Sequence, residues 1–210
     1  MQKKDNNAKT GLKKTIFTKA AIVATFALII IGMTITVPYT QTAAFAAKIE
    51  GDEGPNFLGG TPGDDKIDSK GGSDLNSGDT DPFANSVDGD VSGDDKINSG
   101  EGDDTNTGDA YVSIVNGDVS GNDKIKSGKG DDTNFGDASF SIVDGDVSGD
   151  DKINAGQGDD TLTGNGGADK FQCGSGEDTV TDFNPDEGDK ASGNCEGIEK
   201  GNGNANGKSK

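Results

Sequence analysis

Aspartates recur through most of this chain at one place in a nine-residue count, and a row of evenly spaced carboxylates is a device for holding hard cations. Counting in nines from Gly51 puts Asn56, Asp65 and Asp74 at the sixth place. The register breaks for 12 residues, resumes at Asp90 with Asp95 and Asp104 sixth, skips ten residues, and resumes at Asp118 with Asp123 and Asp132 sixth. After ten more it runs unbroken from Asp146 to Thr181, with Asp151, Asp160, Asp169 and Asp178 at the sixth place. Calcium takes six to eight oxygens, so stacked turns that each offer a carboxylate and some backbone carbonyls suit it. Glycines around each aspartate let those carbonyls approach a cation closely.

The elements that must position these carboxylates repeat as well. The double units Gly93 to Thr107, Gly121 to Phe135 and Gly149 to Thr163 open 28 residues apart, and a weaker copy opens at Gly63, 30 residues before the first. In Gly93 to Thr107 each half is a Gly-Asp-Asp turn followed by a short run able to extend, and the other copies vary this closely. Such a period means a stack. Ile67, Ile97, Ile125 and Ile153 share the eighth place with Leu58, Leu162, Phe171 and Val180, which makes that place predominantly apolar. Coils about 4.8 Å apart would stack Asp95, Asp123 and Asp151 in one column and Asp104, Asp132 and Asp160 in another. Asp151 then faces Asp169, and Asp160 faces Asp178. Each interruption follows a whole pair of nonapeptides, so neither column is broken.

Composition agrees. With 35 glycines, nine Phe, two Tyr and no Trp among 210 residues, an ordinary apolar core cannot be filled. The formal charge is −19, and the first 47 residues hold six Lys against one Asp, which leaves 13 positive against 37 negative residues beyond them. That excess opposes nucleic acid and anionic membrane as partners.

The nonapeptides GNGGADKFQ (164 to 172) and CGSGEDTVT (173 to 181), with the following Asp182-Phe183-Asn184-Pro185, resemble the RTX, or hemolysin-type, calcium-binding repeats. The resemblance covers Gly51 to Lys190. It implies an all-β, right-handed parallel β-roll of five to six coils, in which two nonapeptides make one coil, the turns bind several calcium ions between coils, and the eighth residue points inward. The domain organisation expected is an export signal over residues 1–46, the roll over 51–190, and a cap end with a Gly/Asn/Lys tail over 191–210.

The chain departs from that pattern in two ways. At Asp90, Asp118 and Asp146 the unit opens Asp-Val in place of two glycines, so the turns before Asp95, Asp123 and Asp151 need another backbone. The same aspartates belong to Asp88-Gly89-Asp90-Val91-Ser92-Gly93 and its echoes at Asn116 and Asp144, half of an Asp-x-Asp-x-Ser-Gly calcium loop, and they too are candidate ligands. No Glu stands at a twelfth position, so an EF-hand is not expected. The inserts, read as Gly108 to Gly117 and Gly136 to Gly145, are partly apolar and are expected to add a strand or flap to each coil, with Ile114 and Ile142 stacking. Asn76, Asn106 and Asn134 occupy the inward eighth place, where a ladder of side-chain amides would satisfy them.

Six lysines between Lys3 and Lys19, an apolar run from Ala20 to Val37 and the small-x-small triplet Ala44-Phe45-Ala46 read as an export signal, or as an N-terminal anchor if uncleaved. An exported protein with two cysteines most simply pairs them, here Cys173 with Cys195. The absence of His removes zinc-protease and Ser-His-Asp chemistry, and no enzyme is expected. Three roles remain: a secreted calcium-binding component of a cell surface or surface layer, a calcium-dependent adhesive module in which Tyr111, Phe140, Thr105 and Thr133 face polysaccharide, mineral or ice, and an accessory fragment of a carbohydrate-active enzyme.

Overall fold

Each nonapeptide has room for about three extended residues before the next glycine-rich turn, and this sets the architecture. The computed structural model describes residues 46–82, 86–111, 114–139 and 142–201. Residues 1–45, on which almost all of the expected export signal falls, Phe140 and the tail beyond Gly201 lie outside the described residues. No helix occurs among the described residues.

Among the described residues, even nonapeptides of the count from Gly51, with one end strand on either side, supply one parallel sheet of seven strands, in spatial order Lys48–Glu50, Lys66–Asp68, Lys96–Glu101, Lys124–Lys129, Lys152–Gln157, Lys170–Ser175 and Lys190–Ala191. Odd ones, with one further strand at the end, supply a second, Phe57–Gly59, Leu75–Ser77, Thr105–Thr107, Thr133–Phe135, Thr161–Thr163, Thr179–Phe183 and Gly197–Lys200. Among the described residues seven rungs therefore stack, more than the five to six expected. The additional ones are Lys48–Glu50 at the start and Lys190–Ala191 with Gly197–Lys200 at the end.

The register follows the nonapeptide count rung by rung. Ile49, Ile67, Ile97, Ile125, Ile153, Phe171 and Ala191 lie opposite one another, and Ile67, Ile97, Ile125, Ile153 and Phe171 are buried with Leu162 and Val180 from the facing sheet. Burying each such side chain contributes about 1.5–3 kcal/mol. Coils are close enough that a side chain is excluded at some turn positions. Gly128 has φ +123°, and a Cβ there would lie 2.0 Å from the carbonyl oxygen of Gly100.

The amide ladder is present. Asn76 Nδ2 donates to Asn106 Oδ1 at 2.9 Å, and Asn106 Nδ2 donates to Asn134 Oδ1 at 3.1 Å. Ser69, Ser99 and Ser127 hydroxyls take up part of the remaining capacity. At the ends, Asn76 Oδ1 and Asn134 Nδ2 are unpartnered, because the next rungs place Leu58 and Leu162 there.

Each insert contributes two short strands, which stack into two further parallel sheets: Val87–Asp88, Ile114–Asn116 and Ile142–Val143, and Val91–Ser92, Val119–Ser120 and Val147–Ser148. Ile142 lies opposite Ile114 in the ladder. Val91, Ala110, Val115, Val119 and Val143 form a second small core under these sheets. At the C-terminal end Cys173 and Cys195 are disulfide-bonded, with Cα atoms 5.3 Å apart.

Candidate calcium centre

A sixth-place aspartate closes its turn just before a strand, so its backbone N–H and its carboxylate both face the turn of a neighbouring coil. In the first column Asp65 N–H donates to Asp95 Oδ1 at 2.6 Å, Asp95 N–H to Asp123 Oδ1 at 2.8 Å, Asp123 N–H to Asp151 Oδ1 at 2.8 Å and Asp151 N–H to Asp169 Oδ1 at 2.9 Å. In the second, Asp74 N–H donates to Asp104 at 2.9 Å, Asp104 to Asp132 at 2.8 Å, Asp132 to Asp160 at 2.8 Å and Asp160 to Asp178 at 3.0 Å. Both columns extend one step further. Asp189 accepts from Asp169 N–H at 2.9 Å, and Glu196 accepts from Asp178 N–H at 3.2 Å. Glu196 stands 18 residues after Asp178, so the period itself could have pointed to it.

These bonds consume one oxygen of each carboxylate. The other, Oδ2 of Asp74, Asp95, Asp104, Asp123, Asp132, Asp151, Asp160, Asp169 and Asp178, is buried without a hydrogen-bond partner. Asp65 is the exception, since its Oδ2 accepts the N–H of Thr61.

The inserts leave the coil at a different point from the one the count suggests. Gly78 N–H bonds to the Thr107 carbonyl, Gly108 N–H to that of Phe135 and Gly136 N–H to that of Thr163. These glycines therefore open the turns that lead to Asp95, Asp123 and Asp151, and the second place is Asp79, Asp109 or Asp137. The chain then departs and rejoins at Ser92, Ser120 or Ser148. Backbone conformation records the detour. Gly63 and Gly167, in turns without an insert, have φ of 130° and 129°, whereas Gly93, Gly121 and Gly149 at the same place do not have positive φ.

Asp90, Asp118 and Asp146 consequently fall outside the turns. They are exposed and form a ladder of their own, with Asp118 N–H donating to Asp90 Oδ1 at 3.1 Å and Asp146 N–H to Asp118 Oδ1 at 3.0 Å. The half calcium loop is not assembled either, because Asp88 ends one insert strand while Val91 and Ser92 form another. Three carboxylates come within 4.8 Å of one another at Asp65, Asp79 and Asp95 and again at Asp95, Asp109 and Asp123. The second-place aspartates were missed in the sequence, although Asp109 and Asp137 keep the same 28-residue spacing as Asp95 and Asp123.

Burial without a counter-charge pushes these carboxyls up. Desolvation is the first cause throughout, and stacked neighbours add to it. Asp104 and Asp160 rise to about 6, Asp169 and Asp79 to about 7, Asp95, Asp132 and Asp151 to about 8, and Asp123 to about 10 with Asp151 as the second cause. Asp109 and Asp137 are raised well above the usual carboxylate range. Buried carboxylates held this way need protons or cations.

The residues present fit calcium. Orphaned hard oxygens stand in two columns, and in the first column each points toward a place where a side chain is missing. A Cβ on Gly78, Gly108, Gly136 or Gly164 would lie 1.9 to 2.0 Å from Oδ2 of Asp95, Asp123, Asp151 or Asp169. The sixth-place carboxylates and turn carbonyls would hold the ion, which supplies the positive charge that bridges one coil to the next.

Comparison with known proteins agrees with the geometry. The model of the RTX calcium-binding nonapeptide repeat matches four times, at residues 46–75, 91–110, 119–139 and 147–180, half of the chain in all. No curated protein and no solved structure matches. With its nonapeptide turns, its parallel roll and its two columns of half-satisfied aspartates, the chain belongs to the RTX calcium-binding repeat family, and calcium is the cation of its turns.

Proposed function

We propose that this is an exported, non-enzymatic protein whose roll is completed by calcium and which serves a structural role at the cell surface. The observation that carries the reading is the division of labour within each carboxylate: one oxygen ties coils together and the other is buried and unpartnered. Such a chain gains its fold where calcium is plentiful, outside the cytoplasm. The lysine-rich, apolar N-terminus with Ala44-Phe45-Ala46 supports export, and the absence of His supports a role without catalysis. Circular dichroism during a calcium titration tests the first part, with strand signal gained on adding millimolar calcium and lost in chelator. Intact mass of the protein recovered outside the cell tests the second, with a chain beginning at Ala47 expected.

One surface observation favours the adhesive reading, in a modified form. Thr105 and Thr133 stand in the second sheet of the roll and not on the inserts. A different column is the more distinctive. Lys66, Lys96, Lys124, Lys152, Lys170 and Lys190 are exposed and lie opposite one another on the first sheet, and none forms an ion pair among the described residues. A charged row repeating at the rung spacing suits an anionic polysaccharide. Retention on an immobilised uronate polymer should fall when Lys96, Lys124 and Lys152 are changed together to Gln. Unchanged retention would remove this reading.

A further inference from the structure

We propose that Asp79 and Asp109, with Asp137 continuing their column, make the insert-bearing row a separate class of cation sites, three-carboxylate at Asp79 and Asp109, which bind calcium more tightly than the second row and accept a trivalent lanthanide. The proposal rests on the calcium reading above and deepens it.

The two rows differ at the second place of the turn. In the second row that place is Asp52 in the exposed first turn, whose sixth place is Asn56, and Lys70, Gly100, Gly128, Gly156 or Gly174, with no carboxylate, in the turns that end on a sixth-place aspartate. In the insert row Asp79 joins Asp65 and Asp95, and Asp109 joins Asp95 and Asp123, all within 4.8 Å. Asp137 continues the column, its carbonyl accepting the N–H of Asp109 at 3.0 Å.

A purely structural role for these side chains would be to hold the backbone where the insert leaves the coil. Asn165, at the same place in the turn without an insert, shows what that looks like: its Oδ1 accepts the N–H groups of Asp137 at 3.3 Å and Ala138 at 3.0 Å. Asp109 and Asp137 do no such thing. Both are 0% exposed, and both oxygens of each are without a hydrogen-bond partner. Asp79 uses Oδ1 for Gly63 N–H at 3.2 Å and leaves Oδ2 unpartnered. Ionisable groups this buried are kept where they meet a counter-charge.

Charge per ion separates the classes. Along each row, a sixth-place carboxylate is shared by the sites on either side of it. The second row therefore offers one negative charge per ion, and the insert row two, because the second-place aspartate adds its own. Calcium affinity is tuned by ligand charge count and site rigidity, and here the extra ligand sits where the insert sheets join the roll. A trivalent ion of similar size meets three carboxylates at once.

The test uses the full chain at neutral pH and physiological salt, titrated with calcium against a competing chelator, and separately with terbium read by luminescence lifetime in H2O and D2O. Two classes of calcium site are expected, at least tenfold apart. Asp109→Asn should weaken the tight class about tenfold or more and spare the weak one, and Asp132→Asn should do the reverse. Terbium should fill the tight class first with fewer bound waters than in the second row. A single class in the wild type, or Asp109→Asn indistinguishable from it, overturns the inference while leaving calcium binding intact. No calcium uptake at all would instead overturn the underlying reading. Should Asp109→Asn fail to fold in saturating calcium, Asp79→Asn, at the edge of the row, gives the same readout with the same two outcomes.

Discussion

Withdrawing calcium at pH 7.5 should unfold the roll, and acidifying the metal-free chain to about pH 4.5 should restore much of it. The magnitude follows from the carboxylate spacing. Two charges 4.8 Å apart repel by about 0.9 kcal/mol in bulk water and about 3.5 kcal/mol at an effective dielectric of about 20. Three such pairs in the Asp95, Asp109 and Asp123 cluster would cost about 10 kcal/mol at the latter value, comparable to the about 5–15 kcal/mol that holds a domain together. A metal-free roll must therefore either take up protons or open. The folded carboxyls titrate upward of their unfolded value of 3.8, Asp104 at about 6, Asp132 at about 8 and Asp123 at about 10. Between those limits the folded chain binds more protons than the unfolded one, so stability falls as pH rises. It is fully present below the unfolded value, falls progressively as pH rises above it, and is lost once pH has passed the folded values of about 6 to 10. For one group raised to about 8, moving from about pH 4.5 to 7.5 costs about 4 kcal/mol. The assay is far-ultraviolet circular dichroism of protein dialysed free of metal, with 1 M salt at pH 7.5 as the control. Salt should restore little, because buried pairs are poorly screened. Strand signal that is indifferent to pH in the absence of calcium, or recovered as well by salt as by acid, would refute the argument.

Three further outcomes follow from single contacts. Asp160→Ala should cost about 1–3 kcal/mol through the buried Asp132 N–H it orphans, besides weakening calcium binding. Asp52→Ala, at an exposed loop, should stay within about 0.5 kcal/mol, and equal urea midpoints in calcium for the two variants would contradict the column geometry. Reducing Cys173–Cys195, which spans 22 residues, should lower stability by about 3 kcal/mol on the chain-entropy model; an unchanged midpoint would mean that packing alone secures the end of the roll. Asn106→Leu should cost about 1–3 kcal/mol by breaking the ladder in the middle, whereas Asn134→Leu, whose Nδ2 is already unpartnered beside Leu162, should cost less. The reverse order in urea would sink the ladder.

Local chemistry repeated at a fixed interval made the rungs legible. Ile67, Ile97, Ile125 and Ile153 each stand two residues after the aspartate that ends a Gly-Asp-Asp or Gly-Asn-Asp turn, so the sixth-place columns could be read from the chain, and the family resemblance added that the eighth place points inward. The same holds for the asparagine ladder, since an amide at an apolar place has few other ways to be satisfied. The end rungs were harder. Lys48-Ile49-Glu50 repeats the Lys-Ile pattern of Lys66-Ile67 but has no Gly-Asp turn among the residues just before it, and Glu196 replaces Asp at the end of its column.

The insert-bearing turns were misread because counting follows the covalent chain, whereas a solenoid turn is defined by what it stacks on. A contiguous count forces Asp118 and Val119 into the places before Ser120, and so treats Gly108 and Asp109 as the start of an insert. In space Gly108 opens the turn, because its N–H is the donor that meets the end of the Phe135 strand, and Ser120 resumes that turn after Asp109 as though the ten residues between them did not intervene. The detour buries Val91, Val115 and Val119 in a core of their own and leaves Asp109 inside the roll with neither a hydrogen-bond donor nor an ion pair among the described residues. A buried pair of oxygens with nothing to accept is a cost that a fold keeps only where a cation removes it. Within this roll, the places where the chain departs from the nonapeptide pattern are thus the places where the calcium chemistry is most concentrated.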